Sequence, residues 1–156
     1  MKLRNILCFF LLILFLSGPA SAAGVEKIGV KELHVITEGS KGKILLINYW
    51  ATWCAPCVKE FPGLVSLRNQ FSEDDLTIVG ISIDNQARPV ENFIARHKAN
   101  FPIYLDNREI STMLSINSIP RTVIYDRSGE KVLDHLGFIP EESFRHVVQH
   151  LLEKKP

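Results

Sequence analysis

Cys54 and Cys57, separated by two residues, stand where a nearly all-apolar segment gives way to a helical pattern. The segment is Ile44–Trp50 (ILLINYW), and the helical pattern starts at Ala55. A short apolar run without alternation suits a central strand covered on both faces. A chain built around such a strand is layered, with helices on both sides of its sheet. The cysteine pair then sits at a strand-to-helix junction. Its loop is too short to restrain an unfolded chain by much, because stabilisation by a disulfide grows with loop length. The pair is therefore placed for chemistry more than for holding the fold.

The rest of the chain reads as one domain from about Val25 to Lys155, without repeats, low-complexity tracts or Gly/Ser linkers. Ile28–Glu38 has the helical spacing Val30, Leu33, Ile36, with Gly39 as a C-cap; a strand using Leu33 and Val35 is the alternative. Ala55–Phe71 is a helix with Leu64, Leu67 and Phe71 on one stripe, and Pro62-Gly63 should kink it. Leu76–Ile83 is a second buried strand. Pro89–Lys98 is a helix with Pro89 in its first turn. Pro102–Leu105 is extended and Arg108–Leu114 a short helix. Arg121–Tyr125 and Lys131–Leu136 form a hairpin around Asp126-Arg127-Ser128-Gly129. Pro140–Glu153 closes the chain as a helix with Phe144, Val147, Val148 and Leu151 inward. Strands alternating with helices, then a hairpin and a helix, predict an α/β fold with a mixed sheet and helices on both faces.

The first residues follow a different pattern. Lys2 and Arg4 precede an apolar run, Ile6–Leu16, which Ser17-Gly18-Pro19 breaks before the small-residue site Ala20-Ser21-Ala22. These are the three parts of a secretory signal peptide, with cleavage near Ala22. The alternatives are a buried N-terminal helix or an uncleaved tether. Cys8 lies inside the run and leaves with it, so Cys54 and Cys57 are the two cysteines of the expected exported chain. The 18 Lys plus Arg balance 17 Asp plus Glu, for a net charge of +1, without the basic excess of a nucleic-acid binder. No nucleic-acid partner is expected.

A helix N-terminus presents unpaired N–H groups and a partial positive charge, and both favour a thiolate. At the helix tip, the Cys54 thiol is expected below its ordinary pKa of about 8.5. Cys57, one turn in, is more buried and less ionised. Cys54 then attacks and Cys57 resolves. A zinc site is the other use of such a pair, but structural zinc takes four protein ligands. Of the five histidines, His146 and His150 alone share an i, i+4 spacing, far along the chain. No metal and no cofactor beyond the redox-active dithiol is expected.

The segment Asn48–Pro62 (NYWATWCAPCVKEFP) resembles the active-site segment of thioredoxin-like proteins, most of all the exported TlpA/ResA-type thiol–disulfide oxidoreductases. Weaker matches run through Ile78–Asp84, Phe101-Pro102 with Leu105-Asp106, Ile119–Thr122 and Asp126–Lys131. The resemblance implies a thioredoxin fold with a central mixed sheet of four or five strands. It makes Ile119-Pro120 the cis-proline loop beside the dithiol, where the backbone before Pro120 pairs with a substrate strand. It makes Glu60 a semi-buried acid near the dithiol, able to take a thiol proton; a solvated helix glutamate is the alternative. Asn48 stands where ordinary thioredoxin has a buried aspartate. Arg121 follows the proline, where its cation favours a thiolate and draws acidic partners, or is a solvated loop arginine. Trp53 covers the disulfide or packs in the core.

The implied function is reduction of disulfides in exported proteins, such as the cysteines of apocytochrome c. The partners are protein thiols and disulfides, with a membrane-embedded thiol donor to re-reduce the pair in an oxidising compartment. The expected location is periplasmic or otherwise extracytoplasmic, tethered if the leader is kept. Three rivals stand beside it: a dithiol oxidase, a thiol peroxidase and a non-enzymatic binding module. A peroxidase keeps Thr three residues before its attacking Cys, whereas Thr52 is two before Cys54.

Overall fold

The computed structural model describes residues 24–154. The expected leader, residues 1–22, lies outside them, as does Lys155. Eleven elements follow in order: β1 (Lys27–Ile28), α1 (Val30–Gly39), β2 (Ile44–Trp50), α2 (Ala55–Gln70), β3 (Leu76–Ser82), α3 (Ala87–His97), β4 (Ile103–Asp106), α4 (Glu109–Met113), β5 (Arg121–Tyr125), β6 (Lys131–Leu136) and α5 (Glu141–Glu153). The sheet order is β1-β4-β3-β2-β5-β6. Neighbours pair in parallel from β1 to β2, and antiparallel from β2 to β6.

The sheet therefore has six strands where four or five were expected. The addition is β1, bonded to its neighbour by Leu105 N–H to the Glu26 carbonyl and Asn107 N–H to the Ile28 carbonyl, each 2.9 Å. Two residues are too few to show a period, so Ile28 read as the start of the following helix. That helix starts at Val30 and includes Gly39, and Ser40 takes the cap.

Every residue of β2 is buried, as a central strand requires. Its side chains alternate between two cores. Ile44, Leu46 and Trp50 pack with Phe61, Leu64, Val90, Phe93, Phe144 and Val148 of α2, α3 and α5. Leu45, Ile47 and Tyr49 face Leu33 of α1 and Ile110 of α4. Trp50 sits between Phe61 and Phe93, with ring centroids 5.2 and 4.8 Å away. This cluster lies directly behind the cysteine loop.

α2 runs as one helix through Pro62. Proline lacks the N–H that would bond the Val58 carbonyl, yet the segment does not divide. Gly63 has a packing reason: a Cβ there would lie 3.2 Å from the Glu141 Cβ. The glycine lets α5 approach α2 closely at that turn, so it marks a helix contact and not a break.

Candidate active site

β2 delivers the chain to the site and α2 receives it. At the end of β2, the Ile83 N–H bonds the Trp50 carbonyl at 2.9 Å, tying the exits of β2 and β3 together. The chain then turns, with Cys54 N–H donating to the Ala51 carbonyl at 3.2 Å. Cys54 is the N-cap of α2, and its Sγ accepts from the Cys57 N–H at 3.3 Å. Pro56 lies within the first two helical positions, where a missing N–H breaks no helical bond.

Cys54 and Cys57 are joined as a disulfide. Cys54 is the more accessible, at 6% against 2%, and Trp53 beside them is 67% exposed. The core-packing alternative for Trp53 is thereby removed. The Ile119-Pro120 peptide is cis, and the Ile119 carbonyl lies 3.7 Å from Cys54 Sγ. A disulfide sulfur has no proton, so this is a contact; a reduced thiol there would face an acceptor. The Pro120 carbonyl is turned the other way and accepts from the Gly137 N–H at 2.7 Å.

Glu60, one helical turn beyond Cys57, is 2% exposed. The solvated-helix alternative is therefore excluded. Asn48 Nδ2 donates to its Oε1 at 2.8 Å, and the Ile139 N–H donates to its Oε2 at 2.6 Å. Asn48 Nδ2 also donates to Thr122 Oγ1 at 3.0 Å. Burial pushes the Glu60 carboxyl up to about 7, against the pull of the Ile139 N–H and the Asn48 amide. Both donors favour the carboxylate, so an equally buried carboxyl without them would sit higher still.

Arg121 is placed elsewhere. Pairing opposite Tyr49 in the sheet puts its side chain on the α1/α4 side, while Asn48 and Thr122 share the other. Its Nε and Nη2 hold Asp134 in a bidentate pair at 2.8 and 2.9 Å, and Nη1 donates to the Leu114 carbonyl at 3.0 Å. Asp134 is held down to about 2, chiefly by the Arg121 hydrogen bonds. The cation expected to act on the dithiol or an acidic partner is thus committed to Asp134 of β6 and to the end of α4.

Three contributors were missed from sequence. Thr122 and the Ile139 N–H complete the surroundings of Glu60. Asp84 binds the cysteine loop, accepting from Thr52 N–H at 2.9 Å and Thr52 Oγ1 at 2.7 Å. A buried strand ending in Ser-Ile-Asp was the one available signal, and alone it names no partner. Among the described residues, no three His, Cys, Asp or Glu side chains gather as a metal site would require.

Comparison with known proteins agrees with this architecture. The thiol-disulfide oxidoreductase ResA of Bacillus subtilis is 31% identical over 114 residues, which are 72% of this chain and 63% of that protein. The chain thus spans less than two thirds of that relative's length. The crystal structure of StoA from Bacillus subtilis superposes with a TM-score of 0.61 at 28% identity, covering 68% of this chain and 82% of that one. A thiol:disulfide interchange protein of the thioredoxin family from Chlorobium tepidum gives 0.69 at 26% identity, covering 74% and 84%. The fold is thioredoxin-like. The model of the AhpC/TSA family matches residues 23–132, and on that match the chain belongs to the AhpC/TSA family.

Proposed function

We propose that this chain is an exported thiol–disulfide oxidoreductase that reduces disulfides of other exported proteins. The observation that carries the proposal is the Cys54–Cys57 disulfide at the N-terminus of α2, with Cys54 Sγ receiving the Cys57 N–H and facing the Ile119 carbonyl. In the reduced form, the Cys54 thiolate attacks one sulfur of a substrate disulfide. The substrate S–S bond breaks, one substrate thiolate leaves, and a mixed disulfide forms. Cys57 then attacks Cys54 Sγ, releasing the second substrate thiolate and closing the Cys54–Cys57 bond. Two electrons pass from the dithiol to the substrate. A membrane-embedded thiol donor restores the dithiol by the reverse exchange.

Glu60 is the acid–base group of this scheme. The carboxylate takes the Cys57 proton, and its neutral form needs a hydrogen-bond acceptor. Rotation of the Asn48 amide supplies one, turning its oxygen toward the new O–H while the Thr122 hydroxyl donates to that oxygen. Trp53, Ile119 and Pro120 form the substrate-facing surface, with an extended substrate segment pairing to the backbone at Ile119. The leader-like residues 1–22 support export, and the TlpA/ResA resemblance supports apocytochrome c cysteines as one substrate class.

The peroxidase alternative meets a specific obstacle. Ala51 occupies the position three before Cys54, and the Thr52 hydroxyl donates to Asp84, away from the sulfur. The oxidase alternative differs in direction alone, and the redox state of the pair in cells separates the two: mostly reduced for a reductase, mostly oxidised for an oxidase.

Substrate trapping tests the scheme. Cys57→Ser should accumulate mixed disulfides, seen as upper bands on non-reducing gels that vanish with dithiothreitol, whereas Cys54→Ser should give none. Equal trapping by both variants would sink the role assignment.

A further inference from the structure

We propose that Asp84 is a positioning residue for the dithiol, acting through Thr52 to set Cys54 against the first N–H groups of α2. The inference rests on the assignment of Cys54 as the attacking thiol. Asp84 lies just beyond β3 and is 7% exposed. A buried carboxylate is costly unless hydrogen bonds hold it. Its Oδ1 accepts from Thr52 Oγ1 at 2.7 Å, and its Oδ2 from the Thr52 N–H at 2.9 Å and Ser82 Oγ at 2.7 Å. Among the described residues, no Lys, Arg or His forms an ion pair with it. The nearby Arg108 guanidinium is instead bonded to Asn85. Neutral donors alone hold the charge, and two of the three belong to one residue of the cysteine loop.

That residue is well placed to set the geometry. The turn Ala51–Cys54 is closed by the Cys54 N–H on the Ala51 carbonyl at 3.2 Å, and Thr52 is its second residue. Fixing both the N–H and the hydroxyl of Thr52 fixes the peptide plane entering the turn and the χ1 of a stiff β-branched side chain. Trp53, the next residue, is exposed. The position of Cys54 Sγ, 3.3 Å from the Cys57 N–H, therefore depends on a clamp between Thr52 and Asp84, which lie 32 residues apart in sequence.

The charge of Asp84 has the opposite sign of effect. A nearby carboxylate disfavours a second anion, so as a bare charge it would make Cys54 less reactive. As a positioning residue it keeps the thiolate on its N–H donor and makes Cys54 more reactive. The two roles predict opposite outcomes on removal.

The reduced full-length protein, with Thr52→Val, Thr52→Ser and Asp84→Asn variants, is alkylated with iodoacetamide at pH 7, the labelled cysteine being identified by mass spectrometry. Thr52→Val keeps the shape and the charge of Asp84 but loses the hydroxyl donor. Cys54 alkylation should slow roughly threefold to tenfold in Thr52→Val and Asp84→Asn, and Thr52→Ser should keep the wild-type rate. A wild-type rate in Thr52→Val, or faster labelling in Asp84→Asn, overturns the inference. If Asp84→Asn does not fold, Thr52→Val decides. Wild-type labelling of Cys57 ahead of Cys54 overturns the role assignment itself, a distinct result.

Discussion

Asn48 Nδ2 stands 2.8 Å from Glu60 Oε1 and 3.0 Å from Thr122 Oγ1, joining the middle of β2 to α2 and β5 inside the core. Both amide protons are used, and the Ile139 N–H reaches the other carboxylate oxygen. Glu60 thus accepts a hydrogen bond at each carboxylate oxygen in a place that disfavours anions. This balance places its titration near neutrality.

Stability should therefore carry a signature of Glu60. Its folded pKa, about 7, lies above the ordinary 4.5, so the folded state holds the proton more tightly. The associated stability is complete below about pH 4.5 and is lost as pH rises through 7. Urea unfolding of the oxidised protein, in which the thiols cannot titrate, should show the loss between pH 5 and 8. The drop should be on the order of 2–3 kcal/mol larger in wild type than in Glu60→Gln. Parallel pH profiles would remove Glu60 as its source.

In the reduced protein, the same substitution should reach the thiols. A carboxylate near a thiol raises the cost of a second negative charge. Glu60→Gln should lower the apparent pKa of thiol alkylation and flatten the pH dependence of disulfide reduction, since the proton acceptor is gone. The two groups titrate together, so the measured quantity belongs to the pair. Superimposable alkylation curves would confine Glu60 to a structural role.

Asp134→Asn should loosen the β5–β6 hairpin. The residue loses the charge held in a bidentate pair with Arg121, at a cost of roughly 1 kcal/mol at pH 7. The wild-type Asp134 pKa lies near 2, below the ordinary 3.8, so this contribution is present above about pH 4 and lost as pH falls through 2. Wild type and variant should converge in acid, as followed by unfolding midpoints. A gap that is undiminished between pH 4 and pH 2 would mean that packing, not charge, was changed.

Gly80→Ala should destabilise by about 1–2 kcal/mol. A Cβ at Gly80 would come within 3.2 Å of both Ile103 Cγ1 and Trp50 Nε1. Trp50 is wedged between Phe61 and Phe93 and cannot retreat. Its Nε1 is also the one buried side-chain polar atom among the described residues without a hydrogen-bond partner. A urea midpoint equal to wild type would show that the cluster yields more readily than its packing implies.

What the sequence determined by itself was local. A short, nearly all-apolar run without alternation suited a covered central strand, and β2 spans the residues expected, Ile44–Trp50. Two cysteines and a proline between the strand and the helical pattern fitted a helix N-terminus, since proline sits there at no hydrogen-bonding cost. The helix-and-strand alternation set the fold class, because a parallel pair needs a crossover. What only the tertiary structure decided was which side chains meet. Spacing put Glu60 one turn after Cys57 but could not bury it. Its partners Asn48 and Ile139 lie 12 and 79 residues away, and a helix has no inner face until something packs on it. Arg121 looked free to serve the dithiol until β6 brought Asp134 to it across the hairpin. β1 was too short for any period and exists because β4 offers it an edge. Asp84 had no visible role until the exits of β2 and β3, parallel neighbours in the sheet, carried it to Thr52. Periodicity fixes the elements, but hydrogen bonds between distant residues exist only once the sheet order does.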